Sequence, residues 1–407
     1  MKRLPIIFPA AFCLTILLAG NAAAQDNAET PEAEPVDPTV QLCEEGFESL
    51  FNGRDLSGWV QMEDAKFTVR DGILVCTGQG NYPTWLRTTE QYENFVLRLK
   101  YRTFWGAEGG VFFNAPVHGR LAHVGYKIRL GDNMGTPKDY SPGAIFEAVP
   151  PTVCAQRHYK DKEWNDLEIS MQWPRLTVTL NGEKVQDLNV EEHEDLKYKL
   201  RHGFIGLQDR GKMIHFRDVR IKRLDDTISG EWQTLYKMKG ENLDGWSVSE
   251  GCSAKWYVDD EGALVAEDGH GYLISDATFR NLELKFYFKM SKCCNGGIFL
   301  RWVTGKGRGF EIQLEDIPDS KDPTGSIYNR VRAHKQPHVY GEWALMQIFL
   351  NEGNCVVRVN GTTVAESDSM GASREGNISI QMHRGSSWLR YKEIMARRLP
   401  DPEPIQE

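Results

Sequence analysis

The chain has 407 residues, with 48 basic against 57 acidic side chains and a formal net charge of −9. This acidic balance argues against nucleic acid as the natural partner, because the phosphate backbone is held chiefly by lysine and arginine. After the N-terminal leader, no apolar stretch approaches the ~20 residues of a membrane-spanning helix.

From the start of the chain, Met1 to Ala24 has the layout of a secretory signal. Lys2 and Arg3 are followed by an apolar run from Leu4 through Leu18 and by small residues ending in Ala22-Ala23-Ala24. That layout predicts cleavage near Gln25 and a secreted or periplasmic protein. Gln25 to Thr39 is rich in Ala, Glu and Pro without apolar periodicity, so 25–45 is expected to be a disordered linker. Two domains are expected next, at 46–224 and 232–399, joined by a short polar linker at 225–231 and followed by a tail at 400–407.

The two expected domains repeat each other. Gly53-Arg54-Asp55-Leu56-Ser57-Gly58-Trp59 returns as Gly240-Glu241-Asn242-Leu243-Asp244-Gly245-Trp246. The Gly109-Gly110 pair returns as Gly296-Gly297, and Gly125 to Leu130 as Gly309 to Leu314. Trp164 to Asn181-Gly182 matches Trp343 to Asn360-Gly361 at equal spacing. Solenoid repeats run roughly 20 to 50 residues, so a period this long implies a complete domain per copy.

Nearly every periodic segment reads as strand. Phe95 to Arg102, Leu176 to Leu180 and Leu282 to Phe288 alternate apolar and polar side chains, as half-buried strands do. Asn181-Gly182 and Asn360-Gly361 supply the positive φ angles of tight hairpins. Many short strands with regular turns predict an all-β protein made of two tandem jelly-roll β-sandwich domains. Trp59, Trp164, Trp246 and Trp343 recur at matched positions and are expected in the cores.

Seven cysteines remain after the leader: Cys43, Cys76, Cys154, Cys252, Cys293, Cys294 and Cys355. An odd count in an exported chain leaves at least one thiol free, buried or paired between chains. Cys293-Cys294 lacks the four convergent ligands of a zinc site and reads as small residues on a strand edge.

Candidate chemistry lies where the copies differ. Val111-Phe112-Phe113-Asn114 answers Ile298-Phe299-Leu300-Arg301, Lys127 and Arg129 answer Glu311 and Gln313, and Asp132 answers Asp316. Period-two spacing puts Glu311 and Gln313 on one face of their strand, and Lys127 and Arg129 likewise on theirs.

Several motifs now combine: Leu50 to Trp59, the Gly-Gly-Ile-Phe-Leu-Arg run ending at Arg301, Gly309 to Leu314 with Asp316, and Gly206-Leu207-Gln208-Asp209-Arg210-Gly211 with Phe216 to Val219. Together they resemble the 3-keto-disaccharide hydrolase domain family over nearly the whole of both copies. The resemblance implies a concanavalin-like jelly roll in each copy and cleavage of glycosides oxidised to a ketone at sugar carbon 3. Such a ketone acidifies the hydrogen on carbon 2, so a carboxylate base can start elimination of the carbon 1 substituent, with water adding to the resulting enone. Glu311 is the candidate base, Arg301 the enolate holder and His383 the third catalytic candidate, near a histidine of the family motif. Gln313, Asp316, Gln381, Trp105 and Gln208 are candidate carbohydrate contacts. A divalent metal on Glu311 and Asp316 is left open, as is the oligomeric state. Lys127 cannot act as a carboxylate, so the second copy is the expected catalytic one. The alternative is a lectin-like protein that binds glycan without cleaving it, which flat aromatic platforms would favour.

Overall fold

The structure, a computed structural model, describes residues 46–78, 84–104, 107–131, 141–152, 158–225, 232–236, 243–303, 308–371, 374–383 and 387–400. The leader, the linker at 25–45, most of 225–231, nearly all of the tail, the start of the second Gly-Trp motif, Trp105, Asp132, Cys43 and Cys154 lie outside those residues.

Alternating side chains build four antiparallel sheets, an eight-stranded and a five-stranded one in each copy. In the first copy the five-stranded sheet runs Trp59–Met62, Thr84–Tyr92, Gly203–Asp209, Gly110–Ala115, Tyr126–Arg129. Its counterpart runs Trp246–Val248, Gly271–Phe279, Gly376–Met382, Asn295–Val303, Arg308–Glu315, in the same spatial order. The inward faces of each sheet pair enclose a separate apolar core. Fully burying one such side chain contributes about 1.5–3 kcal/mol, which makes these cores the main source of stability. Each copy is therefore a jelly-roll sandwich, as its periodicity predicted.

The Asn-Gly turns form as expected, with φ of 49° and 84° at Asn181-Gly182 and 46° and 78° at Asn360-Gly361. Trp59 and Trp246 are core residues whose indole N–H groups donate to the carbonyls of Leu50 and Leu235. Trp164 and Trp343, also expected in the cores, are only half-buried. Their rings instead lie beneath cations, Arg102 and Arg217 over Trp164 and Lys392 over Trp343. Cys294 is buried and Cys293 exposed, and none of the five described cysteines forms a disulfide.

Phe95–Thr103 alternates buried and half-buried positions along its length, as a one-faced strand should. Leu282–Met290 does not: its outward residues Glu283, Lys285 and Tyr287 are buried as well. The cause is the first sandwich, which covers this strand's outer face. Tyr287 Oη accepts from the Val117 amide at 2.7 Å, and Lys285 donates to the His202 carbonyl at 3.1 Å. Arg397, fully buried, bonds Glu283 within its own sandwich at 2.9 Å and Glu93 of the other at 2.7 Å. Both sandwiches belong to one compact unit.

Candidate active site

In the second sandwich, Leu273, Ile298, Ile312, Leu314 and Ile380 point into the core. The alternating positions must then face outward from the five-stranded sheet. Strand register sets them in rows: Ile274, Ser379, Phe299 and Glu311 lie across one row, and Tyr272, Gln381, Gly297 and Gln313 across the next. Beyond these, Asn295 pairs with Glu315. Glu311, Gln313 and Gln381 thus share one face, and His383 adjoins it, its Nδ1 3.3 Å from Asn295 Oδ1.

Gly297 makes the centre of this face possible. A Cβ there would stand 2.7 Å from Cγ and 2.8 Å from Cδ of Glu311, so the carboxylate lies folded over the glycine. Glu311 is only 8% exposed, and its pKa is pushed up to about 7, first by burial and then by the negative charges of Glu315 and Asp322. No hydrogen bond among the described residues offsets that burial. Near neutral pH its carboxyl group is poised between acid and base forms.

Other polar atoms on this face are also buried without hydrogen-bond partners: Gln313 Oε1, Ser379 Oγ and Trp302 Nε1. Buried polar atoms are nearly always paired, so a cluster of exceptions points to groups that a ligand supplies. Rings wall the same face. Tyr272 stacks on Trp302 with centroids 5.0 Å apart at 27°, and Phe299 meets both edge-on. Gln381 Nε2 donates to Tyr272 Oη at 3.0 Å, orienting amide and phenol together. Tyr272, Phe299, Trp302 and Ser379 were not identified from the sequence as site residues. Phase within each strand was the signal available for Tyr272, Phe299 and Ser379, but it carries no lateral register, and the bulge at Arg301 takes Trp302 out of phase.

Arg301 is placed elsewhere, which corrects the expected enolate contact. Its φ of 53° and the register shift between Phe299 and Trp302 mark a β-bulge. The bulge breaks the two-residue phase, bringing Trp302 to the rings of the outer face and sending Arg301 to the sheet end. There its guanidinium donates to the carbonyls of Arg280 and Glu352, both at 2.9 Å, and to Asn281 Oδ1 at 3.3 Å. It braces turns of its own sandwich.

Asp316 lies past the end of its strand, where its backbone pairs with Cys293 and Cys294. It lines a cleft of about 490 Å³ beside the face, together with His334, His338 and Tyr340. Among the described residues, no group of three or more His, Cys, Asp or Glu side chains could hold a metal ion. Trp105 is outside the described residues.

In the first sandwich the corresponding row holds Trp85, Gln208, Gly110 and Arg129, and the next holds Gly206, Phe112 and Lys127. Gln208 is 1% exposed and belongs to the first copy's sheet, not to the one that carries Glu311. Lys127 takes the place of Glu311, since a Cβ at Gly110 would meet its Cγ at 2.7 Å. Trp85, Phe112, Ala115, Leu121 and Phe204 cluster over this face and close it.

Fold and face together define a class: a tandem jelly-roll protein in which one copy presents a polar, aromatic-walled sheet face and the other has filled it. The 3-keto-alpha-glucoside-1,2-lyase-like domain family matches residues 46–222 and 231–397, and the chain belongs to that family. A 3-keto-disaccharide hydrolase of Bacteroides thetaiotaomicron is 21% identical over 240 residues, covering 44% of this chain and 79% of that protein. A solved Parabacteroides distasonis protein with a provisional glycosyl hydrolase assignment is 24% identical, with a TM-score of 0.39, over 44% of this chain and 95% of its own. The carbohydrate-binding module CBM66 from Bacillus subtilis is 12% identical, with a TM-score of 0.31, over 38% and 95%.

Proposed function

We propose that this protein cleaves 3-keto glycosides and that the second sandwich performs the chemistry. Glu311 takes the proton from carbon 2, the aglycone leaves from carbon 1 with the electron pair of its bond, and water then adds across the enone. Tyr272 and Trp302 give the sugar ring an apolar wall, while Gln313, Gln381 and Ser379 meet its hydroxyls and ketone oxygen. His383, held by Asn295, protonates the leaving oxygen. One observation carries the reading: Glu311 is a buried carboxyl group with its pKa near 7, unpaired, beside other unpaired polar atoms. The family and its Bacteroides relative supply the substrate class. The chain is exported in this reading, with a mature N-terminus near Gln25 that mass spectrometry of the purified protein would reveal.

The test is aglycone release from a 3-keto glycoside by the full chain. Glu311→Gln is expected to lower the rate by roughly a hundred- to ten-thousand-fold, the usual contribution of a general base. Unchanged turnover in that variant would remove Glu311 from the mechanism. The stacked pair Tyr272 and Trp302 also suits a lectin-like module. Saturable binding by the wild type with no product from any keto glycoside would select that reading.

A further inference from the structure

A turn outside the five strands finishes the open edge of the Glu311 face. The Tyr328 amide donates to the Glu311 carbonyl at 2.9 Å, the Gln313 amide to the Ser326 carbonyl at 2.9 Å, and the Gly325 amide to the Gln313 carbonyl at 2.8 Å. Ile312 and Ile327 pair across this edge, and both are fully buried in the core. Alternation then sends Tyr328 outward, into the row of Ser379, Phe299 and Glu311. Mutual backbone bonds between Ile327 and Val331, both 2.9 Å, close the turn that carries it. Tyr328 is 44% exposed, and its hydroxyl has no hydrogen-bond partner among the described residues. The first copy has the same turn without the hydroxyl. There the Phe146 amide donates to the Lys127 carbonyl at 2.9 Å, Ile128 pairs with Ile145, and Ile145 and Val149 bond each other. The centroid of the Phe146 ring lies 4.3 Å from Lys127 Nζ and 5.9 Å from the guanidinium carbon of Arg129, so a ring at this position leans over the face. The copy that lacks the carboxylate thus also lacks the phenol oxygen, while it keeps the ring and the turn. The ring goes with the scaffold and the hydroxyl with the base.

We propose that Tyr328 is a further catalytic residue, whose hydroxyl donates to the ketone oxygen of the sugar as that oxygen becomes an enolate. This role rests on the function proposed above. When Glu311 takes the carbon 2 proton, the pair from that C–H bond forms a double bond between carbons 2 and 3, and the C=O π pair moves to oxygen. The phenol holds that oxygen by a hydrogen bond and keeps its own proton. A pair on oxygen then re-forms C=O, the double bond shifts to carbons 1 and 2, and the aglycone leaves with the electron pair of its bond to carbon 1. Arg301 braces the sheet end, and Gln313, Gln381 and Ser379 offer only amide and alcohol donors. A phenol is more acidic than either, which makes it the stronger donor to a developing oxyanion.

The test compares wild type, Tyr328→Phe and Tyr328→Leu as full chains, releasing aglycone from two 3-keto glucosides, one with a nitrophenyl and one with a methyl aglycone. Tyr328→Phe places at an exposed position the residue that the first copy carries there, so its melting temperature should match that of the wild type. Its kcat is expected to fall roughly a hundred- to a thousandfold with KM little changed, the usual contribution of one oxyanion donor. The loss should be similar for both aglycones, because the enolate forms at carbons 2 and 3 whatever leaves carbon 1. A much larger loss with the methyl aglycone would make the phenol a proton donor to the leaving oxygen and overturns the proposal. Wild-type turnover retained in Tyr328→Phe and lost only in Tyr328→Leu also overturns it, since the ring alone would then be in use, and it leaves the role of Glu311 standing. Absence of product from the wild type itself removes the function proposed above and this role with it.

Discussion

Glu311 shows how one environment serves both acidity and stability. Folding raises its pKa from 4.5 to about 7, so the native state holds the proton more tightly than the unfolded chain does. Stability should therefore fall as pH rises from about 4.5 to 7 and stay lower above that range, by about 3 kcal/mol if the whole shift is expressed. Glu311→Gln carries no such charge, and its melting temperature at pH 8 should exceed that of the wild type while activity is lost. For the wild type, kcat/KM should climb through about pH 7 as the base ionises; a flat profile from pH 5 to 9 would contradict the assignment. Gly297 is a positioning residue for the same group. The added methyl of Gly297→Ala would meet the movable Glu311 side chain, so the fold should survive. A displacement of about 1 Å at a reacting group costs about a hundredfold, so kcat should fall by that order with little change in melting temperature.

Among the elements, the strand Asn295–Val303 organises the face. Gly297 seats the carboxylate, Phe299 supports the ring wall, and the bulge at Arg301 turns Trp302 onto Tyr272. Tyr272→Ala should raise KM roughly five- to tenfold through lost ring contact, with kcat affected less. An equal loss in kcat with unchanged KM would place the ring in the chemistry instead. Strand phase put Glu311 and Gln313 on one face from the sequence, because regular pairing preserves a two-residue period, while Gln381 was a candidate through the family resemblance. Arg301 escaped that logic because its bulge inserts a residue into the ladder. Tyr272 and Trp302 escaped it because only lateral register places them beside one another.

For the molecule as a whole, the sandwiches are coupled through buried charge. Arg397 joins Glu283 to Glu93 across the interface, and losing one partner from such a group costs about 3–5 kcal/mol. Arg397→Met should lower the melting temperature and separate one calorimetric transition into two, while an unchanged single transition would mean the interface is held elsewhere. Lys285 and Tyr287 bind the same surface, so the covering of an outward strand face converts a half-exposed pattern into a buried one.

Sequence by itself determined the duplication, the all-β class, the Asn-Gly turns and the asymmetry between Glu311 and Lys127. These features depend on local φ preferences, two-residue alternation and residue identity at matched positions, all readable along the chain. Tertiary structure decided the rest: which alternating face is covered, where a bulge breaks the phase, and which distant strands bring their side chains together. It closed the outer face of the first sandwich, carried Arg301 away to brace the sheet end, and set Glu311 over Gly297 beside Glu315 and Asp322. Burial and proximity across strands are long-range properties, and they turn an ordinary glutamate into one whose proton leaves near neutral pH.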